Sequence, residues 1–346
     1  MRNLRRGSAG AGGPAAGCVR PAARSLPVGE PNSVDSGDIN AKLDLTEPIR
    51  PGAERVVRWL VFVCAVLTVL ITGGIVVVLL VNAFGFFADI PVWEFLSGTR
   101  WSPAIQPAEF GVLPLISGTL VITVGSAAIA LPLGVAAAVY LSEYARPGIR
   151  KVLKPLLEIL AGVPTVVYGY LALVYITPAL ARIFPTISTF NALSASIVVG
   201  IMIIPLVASI SEDAMRAVPH SLRMASYGLG ASKFSTIVRV VIPAAFSGIV
   251  ASFILALSRA IGETMAVTIA AGQNPKLLSL LNLDETMLGP IETMTAAMVN
   301  IGTSELEGEA TAYKSLFAIG LTLFCITFLM NIIGALVTSR YKEQYE

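Results

Sequence analysis

Apolar runs recur along most of the chain, at residues 59–83, 113–142, 156–180, 193–211, 244–271 and 315–338. Each approaches or exceeds the ~20 residues that a helix needs to cross ~30 Å of hydrocarbon. The pattern predicts an all-α polytopic membrane domain of six transmembrane helices over residues 55–340. Residues 1–54 are rich in Gly, Pro, Ala, Ser and charge and lack apolar periodicity, so they read as a disordered tail. Arg2, Arg5 and Arg6 are followed by Gly-Ser-Ala-Gly and Pro14 rather than an apolar core. That is not the pattern of a secretory leader, and the first apolar run is expected to stay in the protein. Residues 341–346 read as a short second tail.

An even number of spans puts both tails on one side, and basic residues choose it. Arg55, Arg58, Arg146, Arg150, Lys151, Lys154, Arg216, Arg223, Lys233, Arg239, Arg340 and Lys342 flank the spans on one side, against Arg100, Arg182, Lys276 and Lys314 on the other. The positive-inside rule makes the richer side cytoplasmic. The outer segments are then residues 93–109, 182–191 and 272–313. The last carries Asp284, Glu285, Glu292, Glu305, Glu307 and Glu309; it reads as a solvated loop, with docking of a carrier protein as the alternative. Small residues from Gly118 to Ala128 let helix backbones approach closely.

Composition narrows the chemistry. Hydrophobic residues make up 55% of the chain and charged ones 13%, against about 25% charged in soluble domains. A net charge of +2, with no basic stretch interleaved with aromatics, excludes a nucleic-acid surface. Cys18, Cys64 and Cys325 have no metal or disulfide spacing, and His220 is the sole histidine. A zincin motif, and any site that needs two imidazoles, is therefore excluded. No Gly-Lys pair occurs, so a phosphate-cradling GxxxxGK[ST] loop is excluded as well. Energy for any transport must come from a partner.

The polar stretch 212–243 is too long for a simple connection. It divides into two short amphipathic helices around Gly228 and Gly230, where glycine can take the positive φ of a helix end, and the second stops at Pro243. Ala225, Gly230 and Val240-Val241-Ile242-Pro243 resemble the EAA loop of ABC importer permeases, although Met224 replaces the usual glutamate. The resemblance implies that Met224, Ala225, Gly228, Gly230 and Pro243 belong to a lever seated in a groove of a separate ATPase subunit. An interfacial amphipathic hairpin is the alternative.

Arg259 lies deep within the fifth run, where an arginine costs ~2.5–3.5 kcal/mol and calls for a partner or a watery path. Glu263 follows four residues later, on the same face of a continuous helix. Two readings fit: a salt bridge that neutralises both, or a guanidinium fork for a tetrahedral oxyanion, with Glu263 either holding the fork in the empty state or accepting the hydrogen of a protonated anion. Ser258 and Thr264 are nearby hydroxyls. In the third run, Gly162-Val163-Pro164 predicts a kink with a freed carbonyl, or more sharply a gate, and Pro132 and Pro205 are read in the same way. Glu158 is expected to pair with a basic residue.

The stretch from Arg259 to Val267, RAIGETMAV, resembles phosphate importer permeases of the PstC type. So do residues 111–120, 132–144 and 161–169, and the likeness runs from about residue 56 to 340. It implies an ABC importer type I permease fold and import of inorganic phosphate across a bacterial cytoplasmic membrane. Implied partners are a homologous permease (PstA type), two copies of an ABC ATPase (PstB type) that bind ATP and Mg, and an extracytoplasmic phosphate-binding protein (PstS type). The chain itself is then a permease rather than an enzyme, with no cofactor of its own. A permease for sulfate, molybdate or an organic compound, a membrane enzyme or channel, and a structural scaffold stay open as alternatives.

Overall fold

A computed structural model describes residues 51–103, 105–278, 282–304 and 311–340; the N-terminal and C-terminal tails read from the sequence lie almost wholly outside these. The described chain falls into two units, one ending at Leu67 and one running from Thr68. Helix α1, Pro51–Asp89, belongs to both and begins within the segment read as tail. In the first unit its side chains from Glu54 to Leu67 are exposed, as suits a span surrounded by lipid.

In the second unit, α2 (Val92–Ser97) is followed by strands β1 (Trp101–Ser102) and β2 (Glu109–Phe110), which pair antiparallel with Trp101 opposite Phe110. Phe86, Phe95, Phe110 and Trp101 pack edge to face at 5.5–6.2 Å and close the outer end together with Met294 and Ile319. Helix α3 (Leu113–Val139) ends in a π-helical turn, Tyr140–Tyr144. Next come α4 (Pro147–Ala161), α5 (Thr165–Leu171), a π-turn (Ala172–Ile176) and α6 (Thr177–Ala181). Helix α7 (Ala192–Ala217) packs along α3 to form the centre of the domain.

A short helical hairpin then follows, made of α8 (His220–Gly228), α9 (Lys233–Thr236), a π-turn (Ile237–Val241) and α10 (Ile242–Ala244). The chain returns through α11 (Phe246–Ile261) and α12 (Met265–Ala271). The outer segment holds α13 (Leu283–Leu288) and α14 (Met294–Thr303), and α15 (Thr311–Arg340) completes the unit.

The α3–α7 contact shows why small residues fill these helices. A Cβ placed on Gly125 would come within 2.6 Å of Ser196 Oγ, and one on Gly134 within 2.6 Å of Val207 Cβ. The backbones are as close as hydrogen side chains allow.

Among the described residues, four helices are long and apolar enough to span a membrane: Glu54–Asp89, Leu113–Tyr144, Ala192–Ala217 and Thr311–Arg340. The third and fifth runs are instead broken. Residues 147–161 meet 165–181 at 88°, while the fifth run begins at a 68° bend between residues 233–244 and 246–261 and is interrupted between Ile261 and Met265. The third run was expected to be one kinked span from residue 156 to 180; it is a near right-angle corner at Gly162-Val163-Pro164. Helix α4 carries Ile149, Val152, Leu156 and Ile159 on one exposed face and Arg150, Lys151, Lys154 and Glu158 on the other. That separation suits a helix lying in the membrane interface. The lone Pro164 nitrogen frees the Leu160 carbonyl four residues back, and the Tyr168 hydroxyl donates to it at 2.8 Å. Pro132 and Pro205, by contrast, lie inside continuous helices.

The outer acidic stretch is solvated at Asp284 and Glu285, both exposed, but not at Glu292. Glu292 is buried, and Ile291, Met294 and Ala296 beside it are core residues. Glu305, Glu307 and Glu309 lie outside the described residues.

Candidate functional site

Arg259 stands in the last turn of α11, where the helix dipole favours a cation. Its side chain lines a cavity of about 190 Å3. Opposite it are Lys154 and Glu158 of α4 and Met202, Pro205, Ser209 and Glu212 of α7. The continuous helix expected through Glu263 is absent: α11 ends at Gly262, whose N–H bonds to the Ser258 carbonyl at 3.2 Å, and the chain restarts as α12 at Met265.

Glu263 is consequently not on the helix face of Arg259, and the two form no ion pair. Its carboxylate accepts from the Ala266 N–H at 3.3 Å, capping α12, while its carbonyl accepts from the Thr295 hydroxyl at 2.8 Å. Ser258 donates to Asn331 of α15 at 3.1 Å, and Thr264 donates to the Gly262 carbonyl at 3.2 Å. Of the four residues singled out around this site, the structure brings Arg259 alone to the cavity wall. Among the described residues, no carboxylate lies within ion-pair distance of its guanidinium.

The cavity's other charges were missed. Glu212 is fully buried, with Arg150 Nη2, Lys154 Nζ at 3.2 Å and Arg216 Nη1 at 3.8 Å as its counter-ions. Lys154 also reaches Asp213 at 3.1 Å. Burial alone would depress the Lys154 pKa, but hydrogen bonds to Asp213 and Glu212, and their charges, more than offset it and hold the ammonium above the usual lysine value. The signal available in the sequence was the one-sided spacing of Arg150, Lys151 and Lys154, which marks α4 as amphipathic rather than as the approach to a span. Glu158, expected in an ion pair, forms none among the described residues and lines the cavity instead.

The hairpin between α7 and α11 has the expected two helices. Gly230 takes φ +80° at the corner, while Gly228 is still helical as the last residue of α8. Ser232 caps α9, accepting from the Ser235 N–H at 3.3 Å, and the Ser226 and Thr236 hydroxyls join the two arms at 2.9 Å. The second arm runs one residue past Pro243 and turns at Ala245. Arg223 ties the hairpin to the membrane domain, donating to Glu143 and to the Met215 carbonyl, both at 2.7 Å. Ala225 is exposed, and Met224, Leu229 and Phe234 project outward with 56%, 90% and 69% of their surface free. Apolar side chains this exposed on a polar hairpin mark a contact surface.

Comparison with known proteins accords with this architecture. Residues 130–343 match the family model of the binding-protein-dependent transport system inner membrane component. A probable ABC transporter permease protein, YqgH of Bacillus subtilis, is 34% identical over 82% of this chain and 91% of its own length. The phosphate transport system permease protein PstC of Mesorhizobium japonicum is 31% identical over 80% of this chain and 87% of its own. A solved bacterial alginate ABC transporter, in complex with an alginate pentasaccharide-bound periplasmic protein, has a chain that superposes with a TM-score of 0.60. That match covers 86% of this chain and all of the other at 13% identity, so it bears on the fold. The spans, the corner-turned hairpin and these matches agree that this chain belongs to the binding-protein-dependent transport system inner membrane components, as a multi-pass permease of the cytoplasmic membrane.

Proposed function

We propose that the chain is the permease subunit of an ATP-driven importer of inorganic phosphate. In this reading it shares the translocation path with a homologous PstA-type permease. Two PstB-type ATPase subunits bind ATP and Mg, and a PstS-type binding protein delivers phosphate from outside. Nucleotide binding in those subunits pushes the hairpin through Met224, Leu229 and Phe234, and the two permeases alternate access to a central site. The observation that carries the reading is Arg259, an exposed arginine on the wall of the cavity between α4, α7 and α11, with no carboxylate within ion-pair distance among the described residues. A guanidinium so placed is matched by a tetrahedral oxyanion, which supplies both its missing charge and its hydrogen-bond acceptors. Relatives named as phosphate transport system permeases support phosphate over sulfate, molybdate or an organic solute.

The test is radiolabelled phosphate uptake into proteoliposomes containing the assembled complex, with binding protein outside and ATP inside. Uptake should resist competition by sulfate and fall severely in Arg259→Gln, with partial recovery in Arg259→Lys. An assembled, ATP-hydrolysing complex that imports another solute but no phosphate would refute the substrate. Unchanged uptake in Arg259→Gln would refute the role of the residue.

A further inference from the structure

A second cavity, of about 940 Å3, opens between α4, the end of α7 and the start of α8. Arg150, Lys151, Lys154, Arg216 and Arg223 line it, with Glu158 as the carboxylate on its wall. It shares Leu141, Lys154 and Glu158 with the Arg259 cavity, so the two spaces adjoin across those side chains. Counter-ions account for most of the positive charge. Glu212 holds Arg150, Lys154 and Arg216, and Glu143 holds Arg223. Lys151 differs: it is exposed, lines the groove, and has no carboxylate within ion-pair distance among the described residues.

We propose that this groove is a second oxyanion site, on the cytoplasmic face, which takes a phosphoryl group. The inference rests on the phosphate reading for its place in transport, though not for the existence of the site. Lys151 brings the unpaired charge from α4, and across the groove α8 brings His220 and the N–H groups of Arg223 that are not engaged by Glu143 and the Met215 carbonyl. A tetrahedral anion with acceptors on every side is the ligand that such an arrangement can satisfy, and a carboxylate offers fewer. An occupant would bridge the interfacial helix to the first helix of the hairpin. Phosphate that has left the Arg259 cavity would thus hold α8 against α4 and slow the next cycle, making the groove a product brake. Free phosphate and the headgroup of an anionic phospholipid share this chemistry, and α4 lies where both are available.

Lys151 is the position to test, because its exposure and lack of partners leave the fold indifferent to its replacement. Radiolabelled inorganic phosphate would be dialysed to equilibrium against the whole complex, carrying Arg259→Gln, in phosphatidylcholine nanodiscs without binding protein. Saturable binding is expected, kept by Lys151→Arg and weakened about tenfold by Lys151→Glu, the scale of one charge-assisted contact. A parallel arm in phosphatidylglycerol nanodiscs identifies the source. Phosphate binding that persists there assigns the groove to free phosphate. Loss of phosphate binding together with Lys151-dependent retention of phosphatidylglycerol assigns it to the lipid headgroup. Binding of both ligands that is indifferent to the Lys151 series overturns the site. Uptake by the wild-type complex separates the two ideas: import with a flat Lys151 series leaves the transport reading standing and removes the groove, and graded binding without import does the reverse.

Discussion

Replacing Glu212 by glutamine probes the joint between the interfacial helix and the core. The carboxylate is fully buried, and its counter-ions Arg150, Lys154 and Arg216 retain 27%, 29% and 48% of their side-chain surface. At an effective dielectric of about 20, unit charges 3.2 Å apart attract by about 5 kcal/mol, most of which repays the desolvation of the carboxylate. Removing one partner of a fully buried pair costs about 3–5 kcal/mol because the other is stranded. Here the three cations can turn towards water, and Lys154 keeps Asp213, so the loss should be smaller, about 2 kcal/mol. In a unit of this size that corresponds to a fall in Tm of about 4–8 °C. Thermal unfolding of the purified complex in nanodiscs measures it, with Glu212→Gln compared with Arg150→Gln and the double variant. Non-additivity between the two substitutions is expected, since both break one contact. A Tm within one degree of wild type, or full additivity, would refute the idea that Glu212 pins α4 to α7.

Further consequences follow from other contacts. Tyr168→Phe removes the shorter of two hydrogen bonds to the Leu160 carbonyl at the corner, leaving that from the Val163 N–H at 3.4 Å, and should cost about 1 kcal/mol, seen as a lower Tm without loss of assembly. Leu229→Asp and Phe234→Asp place charge on the outward tip of the hairpin, and should lower the yield of ATPase co-purifying with the permease while leaving its membrane insertion intact. Glu292 is raised above the ordinary carboxyl range by burial, with the Asn300 hydrogen bond pulling the other way. A raised folded pKa gives stability that is present below the ordinary value, near 4.3, and lost as pH rises through the folded one. Glu292→Gln should therefore unfold at a higher temperature than wild type at pH 8, with the gap closing towards pH 4, in a thermal melt series.

How legible the molecule was in its sequence depended on whether a feature is periodic and local. Four of the six apolar runs form unbroken helices because their length and hydropathy suffice, whatever their neighbours. The hairpin was legible for the same reason: the corner at Gly230 and the amphipathic arms are set by neighbouring residues. The broken runs were not. Whether Gly162-Val163-Pro164 makes a kink or an 88° corner depends on Tyr168 serving the freed carbonyl and on Glu212 drawing the cations of α4 inward. Sequence distance likewise misplaced Glu263, because the helix that would align it with Arg259 stops at Gly262, where Thr295 of the outer segment claims the next carbonyl.

The sequence by itself determined the membrane class, the two-helix hairpin between α7 and α11, and Arg259 as the residue needing explanation. Only the tertiary structure decided its company, replacing Ser258, Glu263 and Thr264 with Lys154, Glu158, Ser209 and Glu212. The reason is physical: transfer of apolar area and helix periodicity are written within one segment, whereas a buried charge takes its partners from whichever segments the packing brings within a few ångströms.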